Sequence, residues 1–364
     1  SARRTNPSSW VSSVTAAASA FIIWGIGKPK DMIPTQTIGY VAVDSPAEKA
    51  GLLPGDKVIA INGKAVNGFR GSLDSITERI ILSSTDEIVF TVQREGSDDP
   101  IEIRSTFEVP EKTSVFHRGG LRQVGISYNS PLLVESVATN SPAADAGLQP
   151  GDLITHIDGE PLYSRAAFST YLEAKEWKTV VITVQSPGGS ARDVELTPEK
   201  PLKPEGMKPM IGVTWDFNSE VDTQIIRPGP FEQVGDSLEM MWVTITKLFD
   251  RKSEVGVDHL SGPVGIGNLM FEFLKMEDGW RRILAFMVLF NVNLAVLNML
   301  PFPVLDGGHI TLAVLEKIFG KPVQAKPLEI LQTACALALI SLMLYVTSKD
   351  AADIAGRRGG GGGG

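Results

Sequence analysis

Asp306 is the residue in this 364-residue chain whose setting most demands chemistry. It follows closely on an apolar run, Ile283 to Leu300, nearly long enough to cross a bilayer, and that run carries three amides, Asn291, Asn293 and Asn298. A carboxylate at membrane depth costs roughly 2.5–3.5 kcal/mol on insertion scales, so it needs a proton, a cation or a metal as partner. Pro301 and Pro303 each remove a backbone donor and force extended geometry on the residue before them, which ends the helix ahead of the acid. Gly307 and Gly308 then permit tight backbone turns around it. Irregular backbone at that depth is tolerated only where it lines a site or is buried in protein.

The elements that must position this segment are apolar and lie at both ends of the chain. A membrane helix is expected over residues 8–28, where Trp10 to Gly27 is apolar and small, with small residues suited to close helix packing. Further spans are expected over 281–300 and 328–347, with the proline-broken segment at 301–310 between them. Arg3 and Arg4, with Lys317, Lys321 and Lys326, place one set of helix ends on the cytoplasmic side. The middle of the chain reads as soluble and so faces outward. A net charge of −8 argues against a nucleic-acid partner. The single cysteine, Cys335, sits in an apolar run and excludes an internal disulfide. Residues 357–364, two arginines followed by six glycines, read as a low-complexity tail.

An internal repeat fills the soluble part. Asp44-Ser-Pro-Ala…Ala50-Gly-Leu-Leu-Pro-Gly-Asp56…Ile61-Asn-Gly63 recurs as Asn140-Ser-Pro-Ala…Ala146-Gly-Leu-Gln-Pro-Gly-Asp152…Ile157-Asp-Gly159. Each copy continues with a helical stretch, Leu73–Leu82 or Ala166–Trp177, and an alternating strand, Ile88–Gln93 or Val180–Gln185. Such self-similarity means two copies of one module. Glycine after Ala50 and Ala146 suits a left-handed helix cap, and the Asn-Gly and Asp-Gly pairs suit hairpin turns. The module resembles a bacterial PDZ domain, with copies at residues 36–112 and 120–202. That resemblance implies capture of an extended peptide or a C-terminal carboxylate by strand addition. Val124-Gly125-Ile126, just ahead of Leu132–Val137, matches the carboxylate loop and is expected to serve the second copy. The first copy shows no such clear loop.

Residues 203–230 read as a linker with strands. Over 231–250, Phe231, Val234, Leu238, Met241, Ile245 and Leu248 recur at spacings of three and four. That is one face of an amphipathic helix, and Trp242 and Lys247 suit it to a membrane interface. The run Leu260-Ser-Gly-Pro-Val-Gly-Ile-Gly267 is glycine-rich without the strand-and-lysine context of a phosphate loop.

Asn298, Pro301, Pro303, Leu305, Asp306 and Gly307 match the pattern N-x-x-P-x-P-x-L-D-G, and the chain on this basis resembles the site-2 protease family, zinc metalloproteases that cut within membranes. The Gly262-Pro-Val-Gly-Ile266 element, the amphipathic helix and the paired PDZ modules resemble its RseP-like branch. The resemblance implies a multi-domain membrane protein, an α-helical transmembrane core with two inserted α+β, β-barrel-like PDZ domains. It implies zinc as cofactor with Asp306 as third ligand, and a zinc with three protein ligands supplies water activated near neutral pH. Asn293, Asn298, Pro301 and Pro303 would bind the substrate as an extended strand, while helix–helix contact is the alternative for the amides. His309 is not implied as a ligand. The other two ligands belong to an H-E-x-x-H on an earlier helix. The four histidines are His117, His156, His259 and His309, and no two stand four apart. No catalytic residue is therefore expected in this chain, which reads as lacking a first helix and as inactive alone. A serine protease is excluded by the lack of any G-x-S-G-G segment. The expected function is regulated intramembrane proteolysis in the bacterial inner membrane, with multi-pass topology and periplasmic modules. The partners would be a single-span membrane substrate of the anti-sigma-factor or remnant-signal-peptide type and the lipid bilayer, with the PDZ pair as a size filter. The alternative is a membrane-tethered PDZ scaffold or pseudoprotease without metal.

Overall fold

The computed structural model describes residues 18–110, 120–200, 209–216, 222–320 and 325–359. Arg3, Arg4, residues 8–17 of the first expected span, His117, Lys321 and residues 360–364 of the expected tail lie outside them. The chain forms two compact units, one of helices and one holding both repeats.

Helix α1 (residues 18–26) is followed by β1 (Lys28–Met32) and then by the first repeat. Its elements are β2 (Ile38–Val41), α2 (Pro46–Ala50), β3 (Lys57–Ile61), β4 (Lys64–Ala65), α3 (Ile76–Ile81), β5 (Ile88–Gln93) and β6 (Ile101–Ser105). β7 (Ile126–Tyr128) comes next. The second repeat is β8 (Leu132–Val137), α4 (Pro142–Asp145), β9 (Leu153–Ile157), β10 (Glu160–Pro161), α5 (Arg165–Ala174), β11 (Val180–Gln185), β12 (Ala191–Leu196) and β13 (Val213–Trp215). β14 (Asp222–Ile226) pairs with β1.

The repeats fold alike because their marker residues do the same work. Ser45 and Ser141 cap α2 and α4, accepting from Glu48 N–H and Ala144 N–H, with proline at the first helical position of each. Gly51 and Gly147 are left-handed at φ 86° and 73°. Asn62-Gly63 and Asp158-Gly159 have positive φ at both residues, the geometry that returns a tight hairpin. In β5 and β11 alternate residues are buried, so Ile88, Phe90 and Val92, like Val180, Ile182 and Val184, enter two separate cores. Asp56 and Asp152, each 1% exposed, bind Arg94 at 2.7 Å and Arg192 at 3.0 Å. Both arginines also donate to the carbonyl of the repeat's Ala-Gly glycine, Gly51 or Gly147. These acids are structural.

One assignment is corrected. β7 pairs antiparallel with β2, and Val124 is buried in the first core. Ala42 N–H donates to Gly125 O at 2.8 Å and Ala47 N–H to Val124 O at 2.9 Å. Val124-Gly125-Ile126 therefore completes the first copy. The second copy makes the same bonds to Ile211-Gly212, from Ala138 at 2.8 Å and Ala143 at 2.9 Å, ahead of β13. The physical reason is long-range strand pairing: each module is closed by a strand that follows its other strands. The expected module ends at 112 and 202 thus move to Tyr128 and Trp215, and the second copy starts after Tyr128 rather than at 120.

The helical unit contains α6 (Pro230–Phe249), α7 (Pro263–Lys275), α8 (Gly279–Met299), α9 (Asp306–Phe319) and α10 (Ala325–Gly359). α8, and residues Lys326–Ala355 of α10, are long and apolar enough to cross a membrane. Residues 357–359, expected in the tail, continue α10. Ala20 and Ile23 of α1 pack on Val288 and Val292 of α8. α6 forms over nearly the expected residues and rests on protein along one narrow line. Gln233, Ser237 and Met241 are its buried residues, while Phe231, Val234, Leu238 and Trp242 are exposed. The Gln233 side-chain nitrogen donates to Ala20 O at 3.0 Å and to Pro228 O at 2.9 Å, and Ser237 donates to Gln233 O at 2.8 Å, while Gln233 Oε1 has no partner among the described residues. Met241 of the apolar stripe is buried and Ile245 and Leu248 are half-buried, so the stripe is exposed only at Phe231, Val234 and Leu238.

Candidate functional site

The chemistry-bearing segment is built where α8 ends. Leu300 is extended, with φ −62° and ψ 146°, as the proline after it requires. Phe302 N–H donates to Leu300 O at 2.8 Å around Pro301, Leu305 N–H donates to Phe302 O at 2.9 Å around Pro303, and the Gln332 side chain donates to Pro303 O at 3.3 Å. Asp306 restarts the helix as the first residue of α9. Negative charge in a first turn is favoured by the helix dipole. The carboxylate is exposed and has no hydrogen-bond or ion-pair partner among the described residues.

Gly307 and Gly308 are buried in this first turn, and neither has positive φ. They do not make the tight turns expected of them; proximity is what demands glycine. A Cβ on Gly307 would lie 2.5 Å from Leu300 O, and one on Gly308 2.7 Å from Pro303 Cα, with Phe302 O nearer still. The start of α9 is thus pressed against the carbonyl end of α8 and the turn between them.

The amides differ in what they do. Asn291 is buried and donates to Met287 O of its own helix at 2.7 Å. Asn293 is half-buried, and its Oδ1 has no hydrogen-bond partner among the described residues. Asn298 is half-buried, one residue before α8 ends. At 3.6 residues per turn Asn291 and Asn298 share a face, whereas Asn293 lies about 140° round from Asn298. His309 is exposed one turn beyond Asp306. His156 on β9 contacts Thr155 Oγ1 at 3.0 Å, and His259 Nδ1 accepts from Gly256 N–H at 3.0 Å; neither is near a cluster of donors.

Among the described residues no three His, Cys, Asp or Glu side chains are grouped as a metal site. Asp306 nonetheless fits one corner of such a site: an unpaired carboxylate, a donor zinc accepts, held on a rigid helix start.

A second candidate is the pair of glycine loops. Gly125 and Gly212 have φ of 85° and 78°. A Cβ would stand 2.8 Å from Ser45 Oγ at the first and 2.6 Å from Ser141 Oγ at the second. Each loop leads into a three-residue strand, β7 on β2 or β13 on β8, whose other edge has no strand partner among the described residues. Tyr128 packs edge-on against Phe69 with ring centroids 5.7 Å apart, and Trp215 against Phe168 at 5.9 Å. An open edge beside a loop of backbone donors can take an added strand. The sequence did hold a signal for the second loop. Val124-Gly-Ile-Ser-Tyr128 and Ile211-Gly-Val-Thr-Trp215 share one pattern, 87 residues apart from Val124 to Ile211.

Elsewhere in the second module, Val181 N–H holds the Asp158 carboxyl below its usual range, helped by Tyr171 and Lys175. Burial, then Asp158, raises the Tyr171 phenol. This cluster pins the hairpin to β11 and has no part in either candidate site.

A family model described as peptidase family M50 matches residues 13–342. A protein named regulator of sigma-E protease RseP from Escherichia coli K12 is 28% identical over 322 residues, 84% of this chain and 69% of that one. The protein of the same name from Salmonella typhimurium is 28% identical over 319 residues, with the same coverage of 84% and 69%. A Neisseria meningitidis protein named as a zinc metalloprotease is 28% identical over 323 residues, 85% of this chain and 70% of that one. Among solved structures, the PDZ domain of an SdrC-like protein from Listeria monocytogenes is 32% identical, covering 26% of this chain and 95% of its own, at a TM-score of 0.22.

Proposed function

This chain belongs to peptidase family M50 as an RseP-like site-2 protease, and from that premise we propose that it carries the metal-binding acid and the substrate-facing half of an intramembrane zinc protease. The observation that carries the reading is the Asp306 carboxylate, unpaired among the described residues and fixed by Gly307 and Gly308 against the end of a helix long enough to span. Zinc, when bound, supplies Lewis-acid activation of water for peptide hydrolysis. Asp306 would hold that metal as a carboxylate ligand.

The chain's own residues do the rest. Pro301 and Pro303 keep the backbone beside Asp306 out of helix, so it can lie alongside an extended substrate. Asn298 lies next to that break, and the Asn293 amide oxygen, buried without a partner among the described residues, would accept from a substrate N–H. The substrate is a single-span membrane segment of the anti-sigma-factor or remnant-signal-peptide type. The protein sits in a bacterial inner membrane as a multi-pass chain with both modules outside the cytoplasm. There the loops at Val124-Gly125-Ile126 and Ile211-Gly212-Val213 take peptide ends, and the pair excludes substrates that keep a folded outer domain.

The test is Asp306→Asn in the full-length membrane protein. Zinc content, measured by plasma mass spectrometry, should fall and cleavage of a single-span reporter should vanish. Unchanged zinc and cleavage would remove Asp306 from the site. Zinc-free parent protein would leave a membrane-tethered scaffold. The filter is tested separately by deleting Ile33–Trp215: cleavage of a reporter with an intact outer domain should rise, and an unchanged preference for trimmed reporter would sink it.

A further inference from the structure

Asp350 is 2% exposed near the end of α10, and no step of the proposed chemistry uses it. Its Oδ2 accepts from Gly262 N–H at 2.9 Å and from Gly265 N–H at 2.8 Å. Gly262 is the N-cap of α7 and Gly265 lies in its first turn, with Pro263 between them at the first helical position. Pro263 has no N–H to satisfy, so one carboxylate oxygen takes two of the donors that a helix start leaves open. The positive end of α7 meets a buried negative charge, which the helix dipole stabilises. The fit leaves no room for larger residues: a Cβ on Gly265 would stand 2.6 Å from Asp350 Oδ1, and one on Gly262 2.9 Å from Asp350 Oδ2 and 3.1 Å from Thr347 Oγ1. The glycine-rich run is therefore a seat for an acid of this same chain.

We infer that Asp350 is a positioning residue for the intramembrane site, a latch that ties the end of α10 to the first turn of α7. α7 packs on both α8 and α10, and Phe273 of α7 meets Phe286 of α8 edge-on at 6.2 Å. α8 in turn carries Asn293, Asn298 and the break that sets Asp306. Releasing the latch lets α7 shift and with it the wall of the site, while the metal-binding acid itself is untouched. The inference rests on the reading of Asp306 as part of a zinc protease.

The experiment compares Asp350→Ala, Asp350→Asn and Gly265→Ala with the parent in the full-length membrane protein. Three readouts are taken: amide hydrogen exchange of the peptide spanning 261–268, zinc content, and single-turnover cleavage with substrate titration. In Asp350→Ala, exchange at Gly262 and Gly265 should speed up and the cleavage rate should fall about tenfold or more, with zinc content equal to the parent. Gly265→Ala should behave the same way. Asp350→Asn keeps an acceptor oxygen and should restore protection and most of the rate. If Asp350→Ala cleaves like the parent, or if the 261–268 amides are no more exposed in it, the latch is refuted while the protease reading stands. A parent that neither binds zinc nor cleaves refutes the protease reading instead. Should Asp350→Ala fail to accumulate, Asp350→Asn and Gly265→Ala decide: a fully active Gly265→Ala, or an Asp350→Asn as slow as Gly265→Ala, overturns the inference.

Discussion

Gly308→Ala is the sharpest probe of how Asp306 is held. The added methyl would stand 2.7 Å from Pro303 Cα, where ordinary contact begins near 3.4 Å, and its nearer neighbour is a backbone oxygen, Phe302 O. Neither neighbour is a flexible side-chain tip, so the first turn of α9 must move away by at least 0.7 Å. Asp306, two residues earlier in the same turn, moves with it. Overpacking of this kind costs about 1–3 kcal/mol. A misplacement near 1 Å at a reacting centre costs on the order of 10²-fold in rate. The expected result is a lower melting temperature, zinc affinity weaker by about 10–100-fold in a chelator titration, and cleavage slower by about 10²-fold. Gly235→Ala is the control: it lies on α6 with nothing within 4 Å of the new Cβ and should be neutral or slightly stabilising. If Gly308→Ala melts, binds zinc and cleaves like the parent, the close approach of α9 to the end of α8 does not position the acid.

Two further predictions concern the modules. Arg94→Ala leaves the buried Asp56 carboxylate with Leu53 N–H as its one donor among the described residues and should lower the first module's stability by about 1–3 kcal/mol. Arg192→Ala should cost less, because Ser186 still donates to Asp152 at 2.6 Å; equal losses by thermal unfolding would contradict this. Folding lowers the Asp158 pKa, so its contribution is complete above the unfolded carboxylate range, roughly pH 4, and is lost as pH falls through the lower folded value. Asp158→Asn should flatten that acid limb, since an amide oxygen accepts from Val181 N–H at any pH, as Asn62 does from Val89 N–H at 2.9 Å. An unchanged limb in melting curves taken between about pH 6 and 3 would show that other carboxylates set it.

Much of this was legible where the signal is local. Strands β5 and β11 have the bounds their alternation gives, Ile88–Gln93 and Val180–Gln185, because one buried face per strand fixes period and length together. The helix expected over 281–300 runs from Gly279 to Met299, ended ahead of Pro301 as the loss of a backbone donor requires. The matched pattern around Asp306 pointed to the family. What failed was non-local. Three-residue strands carry too little pattern to name their partner: chain order sets Val124-Gly125-Ile126 with the strand that follows it, whereas the strand it leads into pairs with β2, far back in the chain. The apolar stripe of α6 was visible, but which face meets protein depended on Gln233 finding Ala20 O, a bond that no periodicity encodes.

The glycines show why the site was the harder part. At Gly125 and Gly212 positive φ and crowding coincide, so a turn-based reading finds the right residue for half of the reason. At Gly262, Gly265, Gly307 and Gly308 no positive φ exists, and each residue is glycine because another element occupies the space of its Cβ. A rule that equates glycine with a turn puts flexibility where the fold has its tightest contacts. That reversal bears on function. The segment around Asp306 combines two prolines that stiffen the backbone with two glycines that let helices touch, and both devices remove freedom. An acid placed this way is already oriented before any ligand arrives, so less binding energy is spent on ordering it. Alanine at Gly307 or Gly308 should therefore reduce metal binding, whereas alanine at a glycine needed only for φ should reduce folding first.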